Sequence, residues 1–298
     1  MMIMKIENLV PGTVVKRPSK KIKSPYVADV NINNTEFLAH TASLGCCGLC
    51  DTGASILLAP LNNTSKKSKK SKNSENENEN ENEILDPVKC VYSAQLSVII
   101  EKGNEIIIGI HPKLAEQLVE NCLIKNYLSI LKDCKKYRRE TVLFVENKVD
   151  SRFDFTGMDK NNIPFIMEVK NVPLADYEDL CAKDRKKMCY DERPYDSKIA
   201  YFPDGYRKKS SEPVSPRALK HIRELTLIKK ESITRCIMCY VIQRTDVDRF
   251  QPSIIDPEYR QAFKEAVEAG VEIITLVVKW TRDGEAYFVK DDLLIVPF

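Results

Sequence analysis

Apolar residues in the first third of the chain come in short runs that alternate or cluster between turn residues. Residues 5–16 and 26–32 read as strands, interrupted by Pro11-Gly12 and by the basic turn Lys16-Arg17-Pro18-Ser19-Lys20-Lys21-Ile22-Lys23. Residues 36–41, 55–59, 88–101 and 105–110 repeat the pattern, separated by Gly and Asn turns. Five or so short strands of this kind predict a small all-β Greek-key module. Between Asn62 and Glu83 the pattern vanishes. Five lysines within Ser65–Lys72 give way to alternating Glu and Asn, a composition with too little apolar surface to bury a core.

After His111-Pro112 the period changes to that of a helix. Leu114, Leu118 and Cys122 step by four, and Ile124, Tyr127, Leu128 and Leu131 continue the apolar spacing. A strand follows at Thr141–Val145. Two more strands are predicted around a hairpin turn, Gly157–Asn162. The stretch from Ala175 to Ser197 reads as a loop insertion with some helix. Ser215-Pro216 starts a helix through Lys230, with Ser as N-cap and Pro at N1. A strand at 236–243, a helix from Asp256-Pro257 to Glu268 ended by Gly270, and a strand at Val271–Trp280 complete a mixed α/β order. The expected division is 1–109 for the β module, with its insert near 62–83, and 110–298 for the α/β part.

The hairpin carries the candidate chemistry. Its first strand reads Ser151-Arg152-Phe153-Asp154-Phe155 and its second Phe165-Ile166-Met167-Glu168-Val169-Lys170-Asn171-Val172. Charge in an apolar strand is costly without a partner or a role. Alternation puts Glu168 and Lys170 on one face and Val169 in the core, and the turn brings Asp154 alongside Glu168. Mg²⁺ binds through one or two carboxylates plus waters and phosphate. Asp154 and Glu168 with the ammonium of Lys170 therefore suit a Mg²⁺- or Mn²⁺-dependent phosphodiester hydrolase. An ion-pair cluster at a sheet edge is the plainer reading of the same residues.

Composition narrows the field only modestly. The 298 residues are 43% hydrophobic and 30% charged, with a net charge of +3, which suits a globular protein of two ordinary domains. No apolar run is long enough for a membrane span, and the start lacks the plan of a signal peptide, so a cytoplasmic or nuclear protein is expected. The ten cysteines include Cys47/Cys50 and Cys236/Cys239, whose spacing is that of zinc ligands. Cys236 and Cys239 lie in an apolar strand on opposite faces, so buried fillers are expected instead. The sequence leaves room for a homodimer.

Five stretches, in order, resemble the sugar fermentation stimulation protein family. They are Glu7-Asn8-Leu9-Val10-Pro11-Gly12, Ala28-Asp29-Val30, Ser151–Phe155, Glu168–Val172 and Lys220-His221-Ile222-Arg223-Glu224-Leu225. The resemblance implies an N-terminal OB-like β-barrel followed by a PD-(D/E)xK nuclease-like α/β domain, and an association with DNA. It carries Asp154 over to the first acid of the nuclease motif and Glu168 and Lys170 to its E-x-K. Glu140 corresponds to a further acidic, metal-binding position. Arg217, Lys220 and His221 match the polar face of the following helix and become candidate nucleic-acid contacts. Lys20, Lys21 and Lys23, in the basic turn near Tyr26, are candidates for gripping a strand. The expected partner is nucleic acid, DNA ahead of RNA. The alternative is a non-catalytic DNA-binding or regulatory protein on a nuclease-like fold. A third reading comes from Cys50-Asp51-Thr52-Gly53-Ala54-Ser55, which resembles an aspartic peptidase loop. That chemistry needs two such loops, and the chain has no second Asp-Thr-Gly or Asp-Ser-Gly.

Overall fold

A computed structural model describes residues 1–43, 48–61, 89–146, 148–181, 184, 187–203 and 212–296. The insert expected near 62–83, and Cys47, lie outside them. The first six-stranded sheet contains β2 (Val10–Lys16), β3 (Val27–Ile32), β4 (Thr35–His40), β5 (Ser55–Pro60), β6 (Tyr92–Glu101) and β7 (Asn104–Gly109). Its order is β4-β3-β2-β5-β6-β7, and a further parallel pairing, Ala39 with Tyr92 and His40 with Ser93, joins β4 to β6. Five strands thus follow one another in a ring. Its interior is filled by small and branched side chains, among them Val14, Ala28, Val30, Ile56, Leu58 and Ile108.

Of the strand expected at 5–16, only Val10–Lys16 forms, in the ring and unbroken at Pro11-Gly12; Lys5 belongs to a separate strand in another sheet. β1 (Met2–Lys5) leaves the ring and pairs antiparallel with β16 (Glu285–Lys290) at the far end of the chain. These form one side of a seven-stranded sheet ordered β1-β16-β15-β13-β10-β9-β8. Its other members are β8 (Lys136–Val145), β9 (Val149–Met158), β10 (Pro164–Val172), β13 (Arg235–Ile242) and β15 (Glu272–Trp280). β10, β13 and β15 run parallel at the centre, and the flanking pairs are antiparallel. β13 is apolar from Cys236 to Ile242 because both its faces are covered there. Cys236 points to one core and Cys239 to the other, so they form no ligand pair.

Helix α1 (Pro112–Ile124) covers one face of this sheet, packing Leu114, Leu118 and Cys122 with Leu57, Leu96 and Ile107 of the ring. The helical spacing does not continue to Leu131. Asn126 takes a left-handed φ of 56°, Ile124 is exposed, and Ser129–Leu131 form only a short 3-10 turn. Helices α2 (Pro216–Glu231) and α3 (Pro257–Glu268) cover the opposite face. Asp256 caps α3 by accepting the Tyr259 N–H at 3.1 Å, and Gly270 ends it at φ 89°. Ser215 precedes α2 without a side-chain cap bond, contrary to expectation.

Three strands were not legible. β12 (Lys198–Phe202), just after the expected loop, pairs in parallel with β14 (Val247–Pro252), and β11 (Ala175–Asp176), at the start of that loop, completes a three-stranded sheet. Buried Asp246, which accepts from Lys198 at 3.0 Å and from Arg244, holds this sheet in place. Among the described residues no helix is long and apolar enough to cross a membrane.

Candidate functional site

Strand register brings three acids to one level. Arg139 stands opposite Phe155 and Thr141 opposite Phe153, so Glu140 on β8 is level with Asp154 on β9. The β9–β10 ladder ends at Phe155 opposite Met167, so the next level holds Asp154 and Glu168. The ladder is broken on both sides of Asp154. Glu140 has a left-handed φ of 50°, and the Asp154 carboxylate accepts the Val169 N–H at 2.7 Å. Phe153 packs into the α2-side core while Phe155 packs into the α1-side core. Regular alternation would put both on one face, so the strand changes facing at Asp154.

Glu168 is almost completely buried, at 2% exposure. Its Oε1 receives the Lys170 ammonium at 2.5 Å and the Nδ1 of His221. Those two nitrogens are 3.5 Å apart. The second oxygen, Oε2, is buried and has no hydrogen-bond partner among the described residues. Burial alone would raise the Glu168 carboxyl, but Lys170 and His221 outweigh it and hold it below the usual carboxylate range. Asp154 goes the other way. Burial, then the charge of Glu168, push its carboxyl up to about 7 despite the Val169 N–H and Lys170. Two acids side by side, one held ionised and one pushed toward protonation, form a pair short of positive charge.

A cavity of about 360 Å³ opens beside Asp154. α1 lines it with Lys113, Glu116 and Gln117, the β8–β9 hairpin with Arg139, Glu140, Arg152 and Asp154, and α2 with Arg217. Glu116 adds to the upward push on Asp154. Arg139 holds Glu116 at 3.0 Å and Glu120 at 2.7 Å.

Asp154, Glu168 and Lys170 are thus brought together as expected. Glu140 lies at their level but is half exposed and paired with Arg152 at 3.4 Å. Arg217 is exposed and faces the cavity. Two other residues expected to touch nucleic acid have partners within the protein, one of them exposed and one buried. Lys220 donates to the carbonyl of Asp150, and His221 is buried at 3% exposure against Glu168. Lys20, Lys21 and Lys23 are exposed on the loop between β2 and β3 and are not among the residues that line the cavity. That loop is built on buried Asp29, which accepts Ser19 Oγ at 2.5 Å and Lys20 N–H at 2.8 Å. Asp51 occupies an exposed tight turn, its carbonyl accepting the Ala54 N–H beside left-handed Gly53. Glu116, Arg139 and Arg152 had not been singled out from sequence. Glu116 reads there as one polar position on the solvated side of a helix, and only the packing of α1 over β10 sets it near Asp154.

A family model described as "Sugar fermentation stimulation protein RE domain" matches residues 113–284. A sugar fermentation stimulation protein homolog of Crocosphaera subtropica is 30% identical over 96% of this chain and 95% of its own. One from Jannaschia sp. is 30% identical over 93% of this chain and 90% of its own. Among solved structures, Pyrococcus furiosus SfsA in complex with Ca²⁺ covers 100% of both chains at a TM-score of 0.68 and 20% identity, a likeness of fold.

Proposed function

This chain belongs to the sugar fermentation stimulation protein family, and on that premise we propose that it binds nucleic acid, DNA ahead of RNA, and hydrolyses phosphodiester bonds with Mg²⁺ or Mn²⁺. The observation that carries the reading is the buried, unpartnered Oε2 of Glu168 beside an Asp154 starved of positive charge. A hard divalent cation between those two carboxylates would satisfy both.

The donor set fits a particular kind of cation. Among the described residues no group of three or more His, Cys, Asp or Glu side chains is set to enclose a metal. A zinc site or an all-protein cage does not fit that set. Mg²⁺ does, because it keeps most of its waters and takes one or two carboxylates. The Ca²⁺ in the Pyrococcus furiosus relative is another cation that prefers oxygen ligands. Bound here, such an ion would polarise a phosphoryl oxygen and lower the pKa of its water. Asp154 and Glu168 would hold it, with Glu140 and Glu116 facing the same space. Lys170 offers a point charge beside the reacting phosphate. Arg217, Arg152 and Lys113 supply the positive rim that a phosphate chain needs.

The ring of five strands is read as an OB-like barrel, residues 1–109 apart from β1, and the remainder as a PD-(D/E)xK nuclease-like unit, 110–298. The exposed lysines 20, 21 and 23, on a loop fastened to Asp29, then serve as a second grip on the strand. A non-catalytic DNA-binding protein is the second reading. In its favour, Glu168 and Lys170 are already paired with each other and do not line the cavity. The deciding experiment incubates DNA and RNA with wild type and Asp154→Ala in Mg²⁺, Mn²⁺ or EDTA. Metal-dependent cutting by wild type alone supports the nuclease. Binding without cutting by both supports the second reading.

A further inference from the structure

Helix α2 presents Arg217, Lys220, His221 and Glu224 on one face, at the i, i+3, i+4, i+7 spacing of a single stripe. The stripe lies on β9 and β10. Lys220 donates to the Asp150 carbonyl, and Glu224 Oε1 accepts the Asp150 N–H at 3.0 Å. One residue of β9 is thus held by both its backbone polar groups, and α2 cannot slide along the strand without breaking both bonds. Between those two anchors His221 reaches Glu168. Its ring rests on Phe153 at 5.8 Å between centroids, and it is 3% exposed.

The chemistry of that contact is one-sided. An ionised carboxylate only accepts, so Nδ1 must carry the proton and donate to Oε1. Lys170 donates to the same oxygen. Both donors converge on Oε1, and Oε2 receives none among the described residues. Lys170, two residues away on the same strand, cannot by itself fix the carboxylate plane, since an ammonium is a round point charge on a flexible stem. A second donor from a different element, locked by packing, removes that rotation.

We infer that His221 is a positioning residue that pins Glu168 through Oε1 and so leaves Oε2 as the oxygen offered to a divalent cation. The inference rests on the metal-site reading above. It gives His221 a role inside the site in place of a nucleic-acid contact, and makes the seating of α2 part of the site's geometry. Ligand-orienting partners of this kind change metal affinity by about 10–100-fold when removed.

The test measures Mn²⁺ affinity by the loss of the free-ion paramagnetic resonance signal, with no nucleic acid present. Four proteins are compared: wild type, Glu168→Gln, His221→Ala and His221→Asn. The Asn amide reproduces the place of Nδ1, so it keeps the donor. Expected are tight binding by wild type, none by E168Q, binding weakened about 10–100-fold in H221A, and recovery of most of that loss in H221N. A crystal structure of H221A should show the Glu168 carboxylate turned from its wild-type plane. If wild type binds, E168Q does not, and folded H221A binds as wild type does, the positioning role is overturned while the metal site stands. If wild type binds no Mn²⁺, the metal reading fails and takes this inference with it. Should H221A not fold, H221N is set against His221→Gln, whose amide falls at the place of Nε2; equal affinities overturn the inference.

Discussion

The Asp154 carboxylate accepts the Val169 N–H at 2.7 Å, where the β9–β10 ladder has just run out of backbone pairs. A side chain closes the gap in the sheet and is thereby held next to Glu168. The cost is electrostatic, since burial and Glu168 raise the Asp154 carboxyl from an ordinary value near 4 to about 7. The folded state therefore holds this proton more tightly than the unfolded chain. Between about pH 4 and pH 7 the folded form binds more protons, so stability falls as pH rises through that window. In EDTA, Asp154→Asn should remove that part of the slope, since an amide oxygen can still accept the Val169 N–H. We expect D154N to be more stable than wild type by about 1–2 kcal/mol at pH 8 and to lose the advantage near pH 4, discounting for solvent on the cavity side. Urea titrations at both pH values check this.

Gly109 has no room for a side chain. A Cβ there would overlap Oε1 of Gln243 and stand 2.8 Å from Nε1 of Trp280. Gln243 is fully buried, accepts the Trp280 indole N–H at 2.9 Å and donates to Asn171 at 2.7 Å, so it cannot swing away without orphaning both. Gly109→Ala should cost about 1–3 kcal/mol, read as a lower urea midpoint. The indole environment should change with it, seen in the fluorescence of the single Trp.

The basic loop gives a charge-counting prediction. If Lys20, Lys21 and Lys23 each meet a phosphate, replacing all three with Gln lowers the slope of log affinity against log salt by about 2–3. An unchanged slope would mean the turn is merely solvated. Asp29→Ala should weaken binding more modestly, because it frees the loop while leaving all three lysine charges in place.

The thiols report on the Cys-x-x-Cys reading. Burial pushes Cys236 up to about 12 and holds Cys239 well above the usual thiol value. In the native protein neither should react with a neutral-pH thiol reagent. Exposed Cys181 and Cys189 should label first. Early labelling of Cys236 or Cys239, or bound zinc released by denaturation, would contradict the fold's account of them.

Local pattern sufficed where residues are governed by their neighbours in sequence. α3 runs from its Asp256 cap to left-handed Gly270 because both signals lie within one turn of its ends. β13 was legible because a strand covered on both faces is apolar along its buried length, here Cys236 to Ile242. Pattern failed where the partner lies far along the chain. Val10–Lys16 pairs with β3 and β5, whereas Met2–Lys5 pairs with β16, and no local signal separates two strands joined by four residues. β12 was missed because its Lys198 looks like a surface residue until buried Asp246, 48 positions away, is placed beside it.

The hairpin pattern made Asp154, Glu168 and Lys170 legible as neighbours, because a two-residue period and a tight turn leave little freedom over the seventeen residues from 154 to 170. Which oxygen of Glu168 stays open, whether His221 meets solvent or an acid, and that Glu116 and Arg139 share the cavity were decided only by the seating of α1 and α2 on the sheet. Helix placement depends on core packing summed over many residues, and no local stretch of sequence encodes it.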